Sequence, residues 1–294
     1  MPGHRGSFLR LLVTLLASTL VLAACSANRF LYNRADTFVR WAIDDYVDLT
    51  VEQQKQFDAD LEGLLDWHRR DELPIYREFI VSSLDALEGG VTIDEAVSIS
   101  DSIDEAANRL QVQLIDFLLM SAEGLSDSQI QTFLDELDLQ QEEYSQERLT
   151  RDDIQYADDA ADSLQRLAKR LLGRLNDDQK ALVQSRSTEL IRIDRLWHED
   201  RSVWGAKLRT ILESRSPGWQ TEIRVLGDTR SEARTPAYVA GIEHNGDVIL
   251  RLLVDTINDR TERQDRRMRR FLDDLIADID ALTPANVAEG LVVQ

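Results

Sequence analysis

Apolar residues recur at spacings of three and four along almost the whole chain, and no stretch shows the sustained alternation of a half-buried strand. An amphipathic stretch runs from Arg29 to Tyr46. Leu49-Thr50-Val51-Glu52-Gln53 then opens a predicted helix to about Arg70. The Thr50 hydroxyl is placed to accept the amide of Gln53, whose side chain reaches back to the Thr50 amide, a capping box. Pro74 fits the first turn of a second piece, which stops at Gly89-Gly90. Val91-Thr92-Ile93-Asp94-Glu95 is another box, and behind it Ile103, Ala107, Leu110, Leu114 and Phe117 make a coiled-coil-like seam. Gly124 ends that helix. Leu125-Ser126-Asp127-Ser128-Gln129 starts the next, which runs with a break near Thr150 to Leu175.

Leu175-Asn176-Asp177-Asp178-Gln179 opens a long helix in which Leu190, Ile193, Trp197, Trp204, Leu208 and Ile211 keep one stripe. Ser216-Pro217-Gly218 breaks it, and a short helix covers residues 219–226. A further helix spans 237–258, and Thr261-Glu262-Arg263-Gln264 restarts it toward Leu282; Pro284 onward reads as a tail. Asn245-Gly246 between apolar residues is a hairpin signal. Its flanks do not alternate, however, and Leu252, Leu253 and Ile257 follow at helical spacing, so helix is expected there at a cost of about 1 kcal/mol for the interior glycine. No Gly/Ser-rich linker divides the chain. The pattern predicts one all-α domain over residues 25–294, an elongated bundle of long antiparallel helices.

The first 24 residues follow a different rule. His4, Arg5 and Arg10 precede an apolar run of 14 residues, too short for a permanent span, which ends in Ala23-Ala24 before Cys25, the only cysteine. Leu22-Ala23-Ala24-Cys25 resembles a bacterial lipobox, in which the thiol receives diacylglycerol and the new amino terminus is acylated, palmitate being a usual chain. Ser26 in place of Asp after the cysteine implies sorting to the outer membrane, with a periplasm-facing anchor. Two or three acyl chains, each adding about 0.8 kcal/mol per buried methylene, hold such a protein on the bilayer. Ser26 to Asn28 leave a tether of only about 15 Å, so the body is expected to lie against the membrane.

Charge and chemistry narrow the partners. With 34 basic and 54 acidic residues the chain carries a net charge of −20, which excludes nucleic acid as a partner. Trp67-His68 and Trp197-His198 are similar pairs that invite a shared site with Asp66, Asp71 or Glu199, but tryptophans in the seam with histidines at its edge explain them as well. His198-Glu199 starts like a zincin helix, yet Ser202 stands where the second ligand belongs. There is no thiol nucleophile, no glycine-rich phosphate loop and no calcium-loop pattern, and no enzyme, metal or cofactor is expected. Asp44, Asp45 and Asp48 read as a solvated turn before a cap.

The boxes with Thr50 and Gln53, Ser126 and Gln129, Asn176 and Gln179, and Thr261 and Gln264 resemble the signature of Spy-type periplasmic chaperones, although good helix starts explain the same spacing. A wider likeness starts at Cys25-Ser26 and continues through Leu31-Tyr32-Asn33-Arg34-Ala35-Asp36, Trp41 and Asp44-Asp45-Tyr46-Val47-Asp48-Leu49-Thr50 with Gln53. It resembles a family of uncharacterised Gram-negative lipoproteins, a domain of unknown function. That resemblance implies a helical outer-membrane lipoprotein and supplies no activity. Two functions are then open: a chaperone-like or envelope-stress binder, or a structural adaptor that recruits one envelope partner or docks on anionic lipid or cell wall.

One basic island stands out. Arg260, Arg263, Arg266, Arg267, Arg269 and Arg270 fall together, and Arg263, Arg266, Arg267 and Arg270 share one side of a helix. They are expected either to pair with acidic neighbours such as Asp152, Asp153, Asp158 and Asp159 or to form a docking face. The anchor is open to a direct test: Cys25→Ser should leave an unlipidated protein, retained as a precursor or released in soluble form. A variant that still fractionates as a mature outer-membrane protein contradicts the lipobox.

Overall fold

The computed structural model describes residues 27–283; Leu22, Ala23, Ala24, Cys25 and Ser26, and the tail from Pro284, lie outside the described residues. Among the described residues the chain is all-α and contains no strand. Helices α1 (Ala27–Tyr32) and α2 (Ala35–Asp44) precede α3 (Val51–Trp67), which passes through a π turn, His68–Glu72, into α4 (Leu73–Ala86). The 31-residue α5 (Ile93–Glu123) comes next, then α6 (Asp127–Tyr144), a second π turn at Ser145–Leu149, and α7 (Asp153–Leu172). The remainder is α8 (Asp177–Ser187), α9 (Asp194–Ser214), α10 (Trp219–Asp228), α11 (Pro236–Asn258) and α12 (Glu262–Leu282).

Three expectations need correction. The helix from Thr50 does not stop near Arg70; it continues to Ala86, and Pro74 sits just past the π turn. Proline has no amide hydrogen and its ring clashes with the carbonyl four residues back, so a widened turn lets the rod pass it without ending. The helix from Asn176 is two helices, because residues 188–193 leave the spiral. There the Asn245 side chain accepts the Ile191 amide at 2.8 Å and donates to the Ile191 carbonyl at 2.8 Å, supplying the bonds a helix would have made. Ile103, finally, is 52% exposed, so the seam on α5 begins only at Leu110. Residues 236–258 are one helix despite Asn245-Gly246, and Asn245 is buried there as a clamp rather than exposed as a turn. Asn258 repeats the device at the C-terminal end of α11, bonding both backbone groups of Val91 at 2.8 Å.

About 46 Å long at 1.5 Å per residue, α5 threads three of the four cores. Ala96 belongs to one with Leu172, Val183, Leu252 and Met268; Leu110, Leu114 and Phe117 to a second with Val39, Phe57 and Leu61; Leu119 to a third with Leu134, Leu208 and Trp219. The fourth core joins Tyr32, Leu73 and Ile80 to Leu275 and Ile279 of α12. Neighbours run antiparallel: Phe57 meets Phe117 between α3 and α5, while Arg77–Asp280 at 2.6 Å and Arg260 to the Leu87 carbonyl at 2.7 Å mark opposite ends of the α4–α12 pair.

The capping boxes form at Thr50, Ser126, Asn176 and Thr261, and they pair. Gln53 and Gln129 exchange side-chain bonds at 3.1 and 2.8 Å. Each accepts the amide of its own cap residue and donates to a carbonyl just ahead of the other's cap, Gly124 for Gln53 and Asp48 for Gln129, both at 2.6 Å. Gln179 and Gln264 repeat the arrangement at 3.2 and 2.8 Å, with Asp259 and Arg174 as the carbonyl partners. Each amide thus uses both donors and both acceptor positions. Gln179→Ala and Gln264→Ala, measured by denaturant unfolding, should each cost about 1–3 kcal/mol because a buried amide is left half-satisfied. The double variant should cost less than their sum by about 0.5–3 kcal/mol; strict additivity would break the reciprocal pair.

Candidate functional site

The structure distributes the sequence candidates over separate places. Thr50, Ser126 and Asn176 cap their helices with the side-chain oxygen, and Gln53, Gln129 and Gln179 are committed to the paired knots. No amide of these glutamines is left to offer a ligand. Arg260, which replaces the leucine of the fourth box, bonds Asp265 at 2.7 Å and the Leu87 carbonyl, so it too is part of the scaffold.

The arginine island does not pair with Asp152, Asp153, Asp158 or Asp159; its acidic neighbours are on its own helix, Asp265 for Arg260 and Arg269 and Glu262 for Arg266. Asp153 bonds Arg192, Asp159 bonds Arg151, Asp152 caps α7, and none of these or Asp158 meets an arginine of α12. Asp153 and Asp159 thus hold the two arginines that buried Asp194, at the start of α9, also collects. Arg263, Arg266, Arg267 and Arg270 are exposed. Among the described residues their only ion pair is Arg266–Glu262 at 3.5 Å, and Arg270 reaches no further than the Arg266 carbonyl. Arg267 lays its stem over Gly173, whose φ of +78° favours glycine.

The two Trp–His pairs do not form one site. His68 is 1% exposed on the first π turn, its Nδ1 bonded to the Tyr32 hydroxyl at 2.7 Å, with Tyr76 edge-on and no partner for Nε2. Burial, with the charge of Arg69, lowers its pKa to about 4. Glu72, one turn on and equally buried, takes both oxygens to Arg109 at 2.7 and 3.0 Å. Burial pushes the Tyr32 and Tyr76 phenols well above their usual range. His198 instead stacks on Tyr144, beside the second π turn. Asp66 pairs with Arg69, and Asp44, Asp45, Asp48, Asp71 and Glu199 are exposed. Among the described residues no group of three or more His, Cys, Asp or Glu is arranged to hold a metal.

Sequence reasoning missed an apolar cavity of about 580 Å³ between the α3–α5–α6 layer and α9–α11. Leu118, Phe133, Leu134, Leu137, Trp197 and Trp204 form much of its wall. Leu49 and Leu125, the leucines that open the first two boxes, also line it. Arg209 at its edge is held by Asp138 at 2.6 Å and Glu213 at 3.1 Å. Arg230 lies 4.9 Å over the Trp204 ring, burial lowers its pKa, and its carboxylate, Asp200, stands off at 3.4 Å. Arg234 Nε is buried with no hydrogen-bond partner among the described residues. No motif announces such a space, since it arises from wall residues on separate helices.

An all-α body with paired helix starts and a sizeable internal cavity is the class of protein defined here. Residues 45–238 match the family of unknown function DUF6279, and the chain belongs to that family. The match takes in Asp45 to Thr50 and Gln53 of the motif run and begins after Leu31 to Asp36 and Trp41. No curated protein and no solved structure matches the chain. Among the described residues no helix is long and apolar enough to cross a membrane.

His68 gives this region a pH signature. Its folded pKa of about 4 lies below the unfolded 6.5, so between those values the unfolded chain binds more protons. Stability contributed by the neutral ring is complete above pH 6.5 and falls as pH drops toward 4. At pH 5 the loss should be about 2 kcal/mol relative to pH 7.5, and His68→Phe should remove that share of the slope in urea titrations at the two pH values. Equal slopes in both proteins would mean that His68 is not buried neutral.

Proposed function

We propose that the protein is an outer-membrane lipoprotein facing the periplasm, anchored through Cys25, whose helical body is a non-catalytic docking module that lies on anionic phospholipid through α12. The observation that carries this reading is the exposed row Arg263, Arg266, Arg267 and Arg270, left with one loose ion pair in a chain of net charge −20. Such a chain has carboxylates to spare for pairing, and among the described residues Arg263, Arg267 and Arg270 meet none of them. Arg29 bonds Asp278 at 3.0 Å, joining the segment next to the tether to the far end of α12. The row begins about 12 Å back along the helix, eight residues at 1.5 Å each. Phe30 and Trp41, 61% and 63% exposed, add apolar contacts on the anchor side of the body.

The chaperone-like alternative drew on the four boxes, and the paired amides account for them without a client. An adaptor for an acidic protein or for cell-wall polymer shares the arginine row and differs in what covers it.

Each arginine near an anionic surface adds about 1 kcal/mol, declining with salt, whereas exposed ion pairs contribute less than about 1 kcal/mol each. Changing Arg263, Arg266, Arg267 and Arg270 to Gln in the body from Ser26 onward should cut binding to phosphatidylglycerol-containing vesicles at least 100-fold at low salt and leave the melting temperature within about 2 °C. Unchanged vesicle binding with a lowered melting temperature would assign the row to internal pairing. Retained affinity for vesicles with loss of peptidoglycan binding would assign it to the wall.

A further inference from the structure

The geometry points to a second binding site, the cavity between α5, α6 and α9–α11, for a single-chain anionic amphiphile: one long acyl chain in the apolar interior and a carboxylate or phosphate head at Arg230 and Arg234. This rests on the cavity alone and is independent of the α12 face.

The size fits, because small-molecule sites occupy roughly 300–1,000 Å³ and this one is about 580 Å³. The wall is aliphatic and aromatic, and it reaches the surface where Asp138 and Ser202 are exposed. A flexible hydrocarbon chain asks nothing of such a wall but contact. The polar end is not neutral. Arg209 is satisfied by its two carboxylates, while Arg230 has Asp200 at 3.4 Å and Arg234 keeps a buried Nε unbonded. Arg230 thus has one long ion pair and Arg234 none among the described residues, beside an indole and a phenol ring, Trp204 and Tyr238. A guanidinium presents its donors as a planar fork that suits carboxylate and phosphate oxygens. An anionic head would supply paired acceptor oxygens together with the opposite charge; a neutral hydroxyl would supply a single oxygen and no charge.

Free fatty acid and lysophospholipid share this chemistry, and the test separates them. The mature chain with Cys25→Ser, which keeps every described residue, is titrated by calorimetry with palmitate, lysophosphatidylglycerol and hexadecanol below their micellar concentrations. Palmitate or lysophosphatidylglycerol should bind at least tenfold tighter than hexadecanol, and whichever binds identifies the source. Arg230→Gln with Arg234→Gln should erase that preference and leave vesicle docking through α12 unchanged. Gly205 lines the cavity on α9, and a β-carbon there would meet nothing within 4 Å. Gly205→Phe should therefore fill the space, weaken the bound probe at least tenfold and not lower the melting temperature. Absence of binding by both anionic probes, equal binding of hexadecanol, or full binding by the Gly205→Phe protein would each overturn the site.

Discussion

Helix amino termini repel one another. Each carries unpaired amides and the positive end of its dipole, about half a charge, and bringing two together in a core is costly. This chain does so twice, at α3 against α6 and at α8 against α12. Acidic residues in the first turns, Glu52, Asp127, Asp177, Asp178 and Glu262, offset the charge. The glutamine at the third position does the rest, because one primary amide satisfies its own cap, the opposing amide and the opposing chain at once. The register of four helices, and of the turns that lead into them, hangs on those two knots.

The knots differ in what lies beneath. Gln179 and Gln264 are 1% and 5% exposed over a filled core in which Leu175 is 1% exposed. Gln53 and Gln129 are half-buried, and the leucines of their boxes, Leu49 and Leu125, line the cavity. The same local device therefore seals a packed half of the molecule and frames an open one. Four separate cores, three of them threaded by α5, leave room for this, since a void between two well-packed clusters does not loosen either.

What the sequence revealed was short-range. Boxes, the glycine stops and the break near Thr150 involve residues within one or two turns of each other, and the structure contains them. Contacts that reach across the fold were not legible. Asn245-Gly246 carries the local signature of a turn, and only its bonds to Ile191 show that the asparagine was selected as a clamp. The same bonds end the helix that the stripe from Leu190 to Ile211 seemed to continue. Trp67-His68 and Trp197-His198 look alike in sequence because each pair packs beside a π turn, and nothing in their spacing distinguishes two packing roles from one shared site. The acidic partners of the arginine island were placed by proximity in charge alone, and charge in a chain this acidic does not choose between Arg192 and Arg267.

That failure carries the functional argument. In a protein with 54 acidic residues many arginines find an acidic neighbour. Arg40, Arg77, Arg151, Arg186, Arg192, Arg209 and Arg224 all have close carboxylates, many across helices and far apart in sequence. Among the described residues Arg263, Arg267 and Arg270 on the solvent face of α12 are paired with no carboxylate, and at the end of the apolar cavity Arg234 keeps a buried Nε without a partner beside Arg230. An unpaired cation on a surface costs little, because water solvates it, so the α12 row is tolerable without an occupant and gains only when an anionic surface approaches. A half-buried guanidinium costs more and has lost part of its water already. Arg230 and Arg234 therefore hold the larger differential: an anion that arrives there replaces missing acceptors instead of competing with solvent, and its hydrocarbon fills space that the side chains leave empty.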